Sequence, residues 1–285
     1  MNSIPDWRIR SLVEAALAED IGAEDITTGS IFPGPFEAEG RIIAKEEIVL
    51  AGVDIAKEVF LAIDKTSSFG TALNDGRRVK PGEIVLSISG DGRALLKGER
   101  VALNFLQRLS GIATLTSRYI EKIGGLGVKI LDTRKTTPGL RDLEKWAVRI
   151  GGGYNHRFSL STAILIKDNH IRLAGGISEA IKRVRSRVIQ HLKIEVEAGN
   201  LGEVEEALRA GADIIMLDNM QLKAIREAVK IIDHRVPIEV SGGVDISSIR
   251  EIAETGVDYI SVGAITHSAG AVDIHMDIIP VGGRN

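Results

Sequence analysis

The chain contains no cysteine among its 285 residues, which excludes disulfide bonds, thiol nucleophiles and cysteine-ligated metal sites. Although hydrophobic residues make up 44% of it, it lacks the run of about 18 apolar residues that a membrane-spanning helix needs. The N-terminal sequence 1–6 has neither the basic region nor the apolar region of a signal peptide. We therefore expect a cytoplasmic protein that does not associate with membranes.

Positive charge is not in excess either, because 39 acidic residues outnumber 36 lysines and arginines and give a net charge of −3. A basic surface for nucleic acid is therefore not indicated. The cations are nevertheless concentrated in the middle of the chain, many of them beside glycines or at the ends of apolar runs, which makes an anion site worth pursuing. A solvated surface would explain any one of them. These cations are Lys129, Arg134, Lys135, Arg141, Lys145, Arg149, Arg157, Lys167 and Arg172.

The first 110 residues predict a small α+β domain. Apolar residues recur at helical spacing over residues 9–17 and 52–63, and short β-prone runs such as 39–43 lie between breaker clusters. The pattern resembles the hammerhead shape of biotinyl and lipoyl domains. Those domains carry a lysine between two hydrophobic residues in a tight hairpin, and this chain lacks one, so a carrier function is set aside. A helix over residues 98–123 is expected to lead into the next domain.

Beyond this helix, short apolar strands alternate with amphipathic helices. Gly211 and Gly256 follow two of these helices and supply the left-handed residue that ends a helix before the next strand. Repeated βα units predict a parallel α/β barrel, and because only six strands are clear we expect the barrel to be incomplete. The predicted strands are 128–132, 163–167, 193–197, 214–218, 238–241 and 259–263, and the helices are 177–188, 201–208, 222–232 and 246–253.

The first predicted barrel strand is followed by Thr133, Arg134 and Lys135. In parallel barrels the chemistry lies at the C-terminal ends of the strands. Arginine offers a planar fork and lysine a compact charge, and both suit a carboxylate or a phosphate. A basic surface loop explains these residues about equally well.

The second predicted strand ends in Lys167 and follows a triple glycine at 151–153, which lets the backbone turn sharply or approach a ligand. A lysine at the end of a buried strand needs a partner, because an unpaired buried charge is costly. His170 lies three residues further on, and a single histidine is more often a structural residue than a catalytic one.

The third and fourth predicted strands end in acids. Glu195 and Glu197 share one strand face because side chains alternate, and Asp218 ends the neighbouring strand. Carboxylates are the ligands that a hard divalent cation prefers, and they also accept hydrogen bonds from a ribose diol. Salt-bridge partners are the simpler alternative for each acid taken alone.

Small residues follow the fifth and sixth predicted strands, each leading towards a helix start. Backbone N–H groups at such positions bind phosphate, and the helix dipole assists. The sequence therefore predicts a phosphate cradle, without indicating a particular reaction. Its residues are Ser241, Gly242, Gly243, Val262, Gly263 and Ala264.

Together these motifs are similar to those of the quinolinate phosphoribosyltransferases (nicotinate-nucleotide diphosphorylases, carboxylating), along essentially the full length of the chain. The set is specific because it combines many short motifs in one order. The motifs are Glu19–Gly22, Asp25–Thr28, Gly98–Arg100, Leu103–Asn104, Leu109–Thr114, Asp132–Thr136, Gly151–Gly153, His156–Arg157, Lys167–His170, Glu195–Glu197, Leu217–Asn219, Ser241–Gly243 and Gly256–Tyr259.

The resemblance implies an α/β architecture of two domains. An N-terminal α+β hammerhead-like domain would span residues 1–110, with residues 270–285 returning to it. An incomplete, about six-stranded barrel would span residues 111–269. The resemblance also implies a homodimer, or a higher oligomer built from it, in which Arg100 enters the active site of the partner.

By position, the resemblance assigns roles to the residues at the strand ends. The quinolinate carboxylates would be held by Arg100, Thr133, Arg134, His156, Arg157 and Lys167. Phosphoribosyl pyrophosphate would be bound by Lys135, Glu197 and Asp218, with the phosphate cradle at Ser241–Gly243 and Val262–Ala264. Magnesium would bind at Glu197 and Asp218, directly or through water. The catalytic set is then Lys135, Lys167, Glu197 and Asp218.

The activity implied is the conversion of quinolinate and phosphoribosyl pyrophosphate to nicotinate mononucleotide, pyrophosphate and carbon dioxide, a step of de novo NAD biosynthesis. Nicotinate phosphoribosyltransferase is the nearest enzyme alternative, and it needs to recognise only one carboxylate. A paralogue found with molybdate-transport genes is a second alternative. A phosphate-ligand sensor on a barrel scaffold is the non-enzymatic one, although simple binding would not require Glu197 and Asp218 beside a phosphate cradle.

Overall fold

The computed structural model describes residues 4–188 and 192–281, which divide into two compact units. Within these ranges the first unit contains residues 4–115, 142–151 and 269–281, and the second contains residues 116–141 and 152–268. The units differ from the two domains expected from sequence, because residues 111–115, 142–151 and 269 belong to the first unit.

The elements in chain order are α1 (Asp6–Ile21), α2 (Ile26–Ile31), β1 (Glu37–Ala44), β2 (Ile48–Val49), α3 (Val53–Ile63), β3 (Ser68–Ala72), β4 (Arg78–Val79), β5 (Ile84–Asp91), α4 (Gly92–Lys122), β6 (Lys129–Leu131), α5 (Arg141–Ile150), β7 (Ile164–Ile166), α6 (Asp168–Ala174), α7 (Ile177–Arg187), β8 (Ile194–Ala198), α8 (Leu201–Arg209), β9 (Ile214–Asp218), α9 (Leu222–Ile232), β10 (Ile238–Ser241), α10 (Ile249–Ala253), β11 (Tyr259–Ser261), α11 (Ala264–His267) and β12 (Ile274–Pro280). None of the described helices is long and apolar enough to cross a membrane.

The first unit is built on a four-stranded antiparallel sheet in the order β12–β1–β5–β3. Alternate residues of β1 are buried, as expected for a strand with one face on the core. The strand β12 pairs with β1 from Ala38 opposite Pro280 to Ala44 opposite Ile274. The segment that follows the second unit in sequence therefore completes the sheet of the first.

A half-buried acid, Asp75, fixes the start of α3 in the same unit. The Oδ1 atom of Asp75 accepts hydrogen bonds from the backbone N–H groups of Gly52 (2.9 Å) and Val53 (3.2 Å). Burial raises the pKa of Asp75 to about 6, even though both hydrogen bonds act in the opposite direction.

Helix α5, which the sequence analysis did not predict, packs into the first unit. It buries Leu143, Ala147 and Val148. It also buries Glu144 completely, and Nη2 of Arg108 donates to Oε1 of this glutamate at 2.7 Å. Burial of the acid is compatible with folding because the guanidinium pairs with it.

The second unit is built on a six-stranded parallel sheet in the order β6–β11–β10–β9–β8–β7. The six strands predicted from sequence are confirmed, and all five residues of β8 are buried. The described strands do not close into a ring by pairing β6 with β7. Instead a single residue, Tyr154, bridges to Leu131 on the free side of β6. The expected incomplete barrel is therefore confirmed.

The predicted helices of the second unit are confirmed as α7, α8, α9 and α10, although α10 begins at Ile249 rather than at residue 246. Asp245 explains the later start, because its Oδ1 accepts hydrogen bonds from the N–H groups of Ser247 (2.8 Å) and Ser248 (2.9 Å). This side-chain turn competes with the first helical turn.

Candidate active site

The register of the parallel sheet brings the C-terminal ends of its strands to one edge. Asp218 lies opposite Ser241, and Leu131 lies opposite Ser261. Residues that follow these strands were predicted to carry the chemistry, and the topology places them along a common edge of the second unit.

Two arginines form the basic part of this edge. Burial lowers the pKa of the Arg157 guanidinium, and the neighbouring positive charge of Arg134 lowers it further. Nη1 of Arg157 donates to the carbonyl oxygen of Ala163 at 3.1 Å. The Nε atom of Arg134 is buried and lacks a hydrogen-bond partner among the described residues. In the ranges 4–188 and 192–281, neither guanidinium forms an ion pair with a carboxylate. The pair therefore has cationic donors left for an anionic ligand.

Lys167 forms an ion pair with Glu197. The lysine side chain is 45% exposed, whereas that of the glutamate is 9% exposed. The backbone N–H of Asp168 also donates to Oε2 of Glu197 at 3.3 Å. The partner that Lys167 was expected to need is therefore Glu197, and the pair presents its cationic end towards solvent.

His170 has a structural position at the start of α6. Its Nδ1 atom accepts a hydrogen bond from the backbone N–H of Lys167 at 3.0 Å, which caps the helix. The interpretation of His170 as a structural residue agrees with this contact.

His156 is engaged at both ring nitrogens. Its Nδ1 atom accepts a hydrogen bond from the backbone N–H of Arg157 at 2.7 Å, so the neutral ring carries its proton on Nε2. Nε2 lies 3.1 Å from Oε2 of Glu195 and 3.6 Å from Oε1 of Glu239. A direct contact between His156 and a substrate carboxylate stays a prediction, and it would require one of these interactions to break.

Glu239 is a residue that the sequence reasoning missed. Burial raises its pKa well above the usual range, and the nearby charge of Glu195 raises it further, so this environment favours the protonated form. Ser261 Oγ donates to its Oε1 atom at 2.5 Å. The sequence did contain a signal, namely one acid inside the otherwise apolar run 238–240.

The phosphate cradle contains two glycines in left-handed conformations. The φ angles of Gly242 and Gly243 are 88° and 63°. A Cβ atom on Gly242 would lie 2.3 Å from Oδ1 and 2.8 Å from the backbone nitrogen of Asn219. Asn219 itself donates to Asp218 Oδ2 at 2.8 Å. Only glycine therefore fits at position 242, where the ends of β9 and β10 meet.

Lys135 lies beside the second half of the cradle. A Cβ atom on Gly263 would be 3.2 Å from Cδ of Lys135 and 3.1 Å from Nε2 of His267. The hydroxyl of Thr266 donates to the carbonyl oxygen of Lys135 at 2.8 Å, and the N–H of Lys135 donates to Oγ1 of Thr133 at 3.0 Å. Thr266 and His267, which follow the Val262–Ala264 motif directly, are further residues that the sequence reasoning missed.

Comparison with known protein families assigns both parts of the chain to one family. Residues 112–277 match the C-terminal domain of quinolinate phosphoribosyl transferase, and residues 25–110 match its N-terminal domain. The chain belongs to this family. The resemblance seen in the sequence motifs is thus confirmed.

Relatives of this phosphoribosyl transferase family cover nearly the whole chain. A Bacillus subtilis protein named Probable nicotinate-nucleotide pyrophosphorylase (carboxylating) is 45% identical over 95% of this chain and 93% of its own. Quinolinate phosphoribosyltransferase (decarboxylating) 1b of Nicotiana tabacum is 39% identical over 96% of this chain and 83% of its own. The crystal structure of NadC from Streptococcus pyogenes has a TM-score of 0.94 at 44% identity and covers 99% of this chain and 100% of its own.

Arg100, the residue that the family resemblance assigns to the partner's active site, lies on α4 in the first unit and is exposed. Among the described residues it has no ion-pair partner. Testing whether Arg100 enters a partner's site requires a second chain, so the shared role of Arg100 stays a prediction.

Proposed function

We propose that this member of the quinolinate phosphoribosyl transferase family transfers a phosphoribosyl group from phosphoribosyl pyrophosphate to quinolinate. The products are nicotinate mononucleotide, pyrophosphate and carbon dioxide, in a step of NAD biosynthesis. The names of the Bacillus and Nicotiana relatives support this activity. The observation that carries it is the adjacent pair of Arg134 and Arg157, which have cationic donors available for a doubly charged ligand.

Quinolinate carries two carboxylates and therefore needs more than one cationic group to bind it. The presence of two adjacent arginines favours quinolinate over nicotinate as the substrate. Guanidinium groups hold carboxylates in a fixed plane through paired N–H donors. In our proposal Arg134 and Arg157 hold the pyridine dicarboxylate, with Thr133 and Lys167 beside it. Nicotinate, which has one carboxylate, would leave part of this positive charge uncompensated.

The phosphoribosyl donor would lie on the other side of the strand ends. Glu197 and Asp218 would accept hydrogen bonds from the ribose hydroxyls, Lys135 would contact the charged donor, and the cradles at Ser241–Gly243 and Val262–Ala264 would bind the 5′-phosphate. The left-handed conformations of Gly242 and Gly243 support such an anion site in the first of these cradles.

The carboxylates also suit magnesium, which binds proteins through one or two acids and fills its remaining positions with water and substrate phosphates. Glu197 and Asp218 supply oxygen donors of this kind at adjacent strand ends. When bound, magnesium would neutralise charge on the pyrophosphate leaving group. The protein therefore does not need to supply all of the magnesium ligands itself.

The chemistry needs no further electron sink. The pyridine nitrogen forms a bond to C1 of the ribose while the bond from C1 to the pyrophosphate oxygen breaks. The positively charged ring nitrogen then stabilises the electron pair left when the adjacent carboxylate departs as carbon dioxide, and a proton takes its place. Arg134 and Arg157 must orient the ring without stabilising the departing carboxylate too strongly, because stabilising the ground state would raise the barrier.

A product assay tests the proposal. The purified chain is incubated with magnesium, phosphoribosyl pyrophosphate and quinolinate labelled in the carboxyl group next to the nitrogen. We expect labelled carbon dioxide, pyrophosphate and nicotinate mononucleotide in equal amounts, and loss of the reaction when a chelator removes magnesium. Turnover of nicotinate but not quinolinate would favour the single-carboxylate alternative, and binding without turnover would favour the sensor or a paralogue with another substrate.

We further propose that the enzyme works as a homodimer in the cytoplasm, with Arg100 completing the site of the partner. Mixing two inactive variants tests whether Arg100 is shared between the subunits. One chain carries Arg100→Ala and the other carries Arg157→Ala. Activity should return after mixing, since one site of each mixed dimer then has both arginines. If the mixture stays as inactive as its components, Arg100 does not act across the interface.

A further inference from the structure

A network of buried polar side chains lies among the strands that carry the two arginines. We call Asp132, His156, Glu195, Glu239 and Ser261 the buried hub. Asp132 is 0%, Glu239 2%, Ser261 3% and Glu195 7% exposed. Each of these four residues belongs to or directly follows a different strand, namely β6, β10, β11 and β8.

Residues of the buried hub form hydrogen bonds with the segment 155–157, which contains Arg157. Oδ1 of Asp132 accepts a hydrogen bond from the backbone N–H of His156 at 2.9 Å, and its Oδ2 accepts from Nδ2 of Asn155 at 2.5 Å. The imidazole of His156 then connects Glu195 to the backbone N–H of Arg157. The segment 155–157 is therefore held at its backbone and at two side chains.

Two acids so close together within a core disfavour the ionisation of both, and burial together with the charge of Glu195 raises the pKa of Glu239. Nε2 of His156 faces both acids, at 3.1 Å from Oε2 of Glu195 and 3.6 Å from Oε1 of Glu239. The other oxygen of Glu195, Oε1, is buried and lacks a hydrogen-bond partner among the described residues. Ser261 donates to the same Oε1 atom of Glu239 that faces His156. The negative charge of Glu195 acts on the guanidinium of Arg157, although the two groups form no ion pair among the described residues.

We propose that Glu239 is a positioning residue that holds Arg157, through Glu195 and His156, in the orientation needed to bind the pyridine dicarboxylate. This inference rests on the proposed function. Glu239 does not touch the substrate in our proposal, because it is buried, with its Oε1 atom 3.6 Å from Nε2 of His156. Its loss should therefore weaken quinolinate binding more than binding of the phosphoribosyl donor.

The same atoms raise the alternative of a buried cation. The ligand atoms of His156, Glu195 and Glu239 lie within 4.8 Å of one another, a spacing that could hold a metal ion. The hydrogen bonds argue otherwise. Because Nδ1 of His156 accepts from the backbone N–H of Arg157, the ring proton lies on Nε2, and Oε1 of Glu239 already accepts from Ser261. A metal would have to displace the Nε2 proton and compete with the hydrogen bond from Ser261.

Steady-state kinetics of Glu239→Leu and Glu239→Gln test the positioning role. Glutamine keeps one acceptor for Ser261 and one donor for Glu195, so its KM values should stay close to those of the unchanged enzyme. Leucine removes both, and we expect KM for quinolinate to rise about tenfold to a hundredfold with a much smaller change in KM for phosphoribosyl pyrophosphate. Ser261→Ala should move the same KM in the same direction by a smaller factor.

Glu144→Gln provides a matched control at a buried acid outside the second unit. It should lower the thermal midpoint with little effect on either KM. If Glu239→Leu likewise lowers the midpoint but changes both KM values together, the role of Glu239 is only structural and the proposal fails. A stoichiometric metal in the unchanged enzyme that is lost in Glu239→Leu would also overturn it.

Nitrogen NMR of the histidine rings tests the hub without any substrate, and so separately from the proposed function. The signal of His156 is assigned by its disappearance in His156→Gln. We expect a neutral ring with the proton on Nε2 in the unchanged chain and in Glu239→Gln. A proton on Nδ1, or a charged ring at neutral pH, would refute the hub even if the enzyme proves active. Conversely, absence of carbon dioxide release with the expected ring state would refute the proposed function and leave the hub in place.

Discussion

Gly242→Ala and Gly243→Ala form a matched pair that tests the phosphate cradle. Both glycines have positive φ angles, 88° and 63°, which cost an L-residue about 1–2 kcal/mol. They differ in their surroundings. A Cβ at 242 would overlap Asn219, at 2.3 Å from its Oδ1 and 2.8 Å from its backbone nitrogen, whereas a Cβ at 243 would meet nothing within 4 Å.

The expected magnitudes follow from this difference. Gly243→Ala should lower the free energy of unfolding by about 1–2 kcal/mol, the backbone cost alone. Gly242→Ala adds a steric cost of about 1–3 kcal/mol, because a backbone atom must move. Moving Asn219 also shifts Asp218, with which it shares a hydrogen bond. We therefore expect the affinity for phosphoribosyl pyrophosphate to fall at least about tenfold, which corresponds to about 1.4 kcal/mol.

Titration calorimetry with phosphoribosyl pyrophosphate and urea unfolding of the two variants provide the measurements. The reasoning predicts that Gly242→Ala loses more affinity and more stability than Gly243→Ala, with KM for quinolinate less affected. Equal affinity for the donor in both variants would show that the close approach at 242 has no part in binding it.

Three further outcomes are expected. Arg157→Ala should lower kcat/KM for quinolinate by about 30- to 5,000-fold, because a charge-paired contact of about 2–5 kcal/mol is lost, and near-normal steady-state kinetics would contradict its role. Asp75→Asn should be more stable than the unchanged chain above pH 6 by up to about 3 kcal/mol and equal to it below pH 4. The pKa of about 6 exceeds the ordinary value of 3.8, so deprotonation favours the unfolded chain as pH rises, which urea unfolding at several pH values would detect. Glu144→Gln should cost about 3 kcal/mol in the same assay because it removes the buried negative charge that pairs with Arg108, and a cost as small as that of a surface pair would refute the burial argument.

The barrel strands could be predicted because their signals are local. Each is a short apolar run, and glycines such as Gly211 and Gly256 mark the ends of the helices between them. Helix α5 could not be predicted in this way. Its buried face includes Glu144 and Lys145 as well as apolar residues, so charge conceals the periodicity. The partner of Glu144 is Arg108, and no local pattern shows that pairing.

The candidate site was predictable as a set of strand ends but not as a set of contacts. Sequence placed Lys167 and Glu197 at the ends of separate strands, and only the pairing of β7 with β8 makes them an ion pair. The direction in which the ring of His156 faces depends on Glu195 and Glu239 from two different strands. Residue spacing carries no information about such an orientation.

The pairing of β12 with β1 has a consequence for how this chain must fold during synthesis. Because β12 follows the entire second unit in sequence, β1 remains an open edge until that unit has left the ribosome. Unpaired strand edges recruit other chains, and slow completion of a sheet prolongs that exposure. A fragment confined to residues 25–110 would carry the same open edge permanently, and aggregation, rather than a stable isolated domain, is the outcome that its expression should produce.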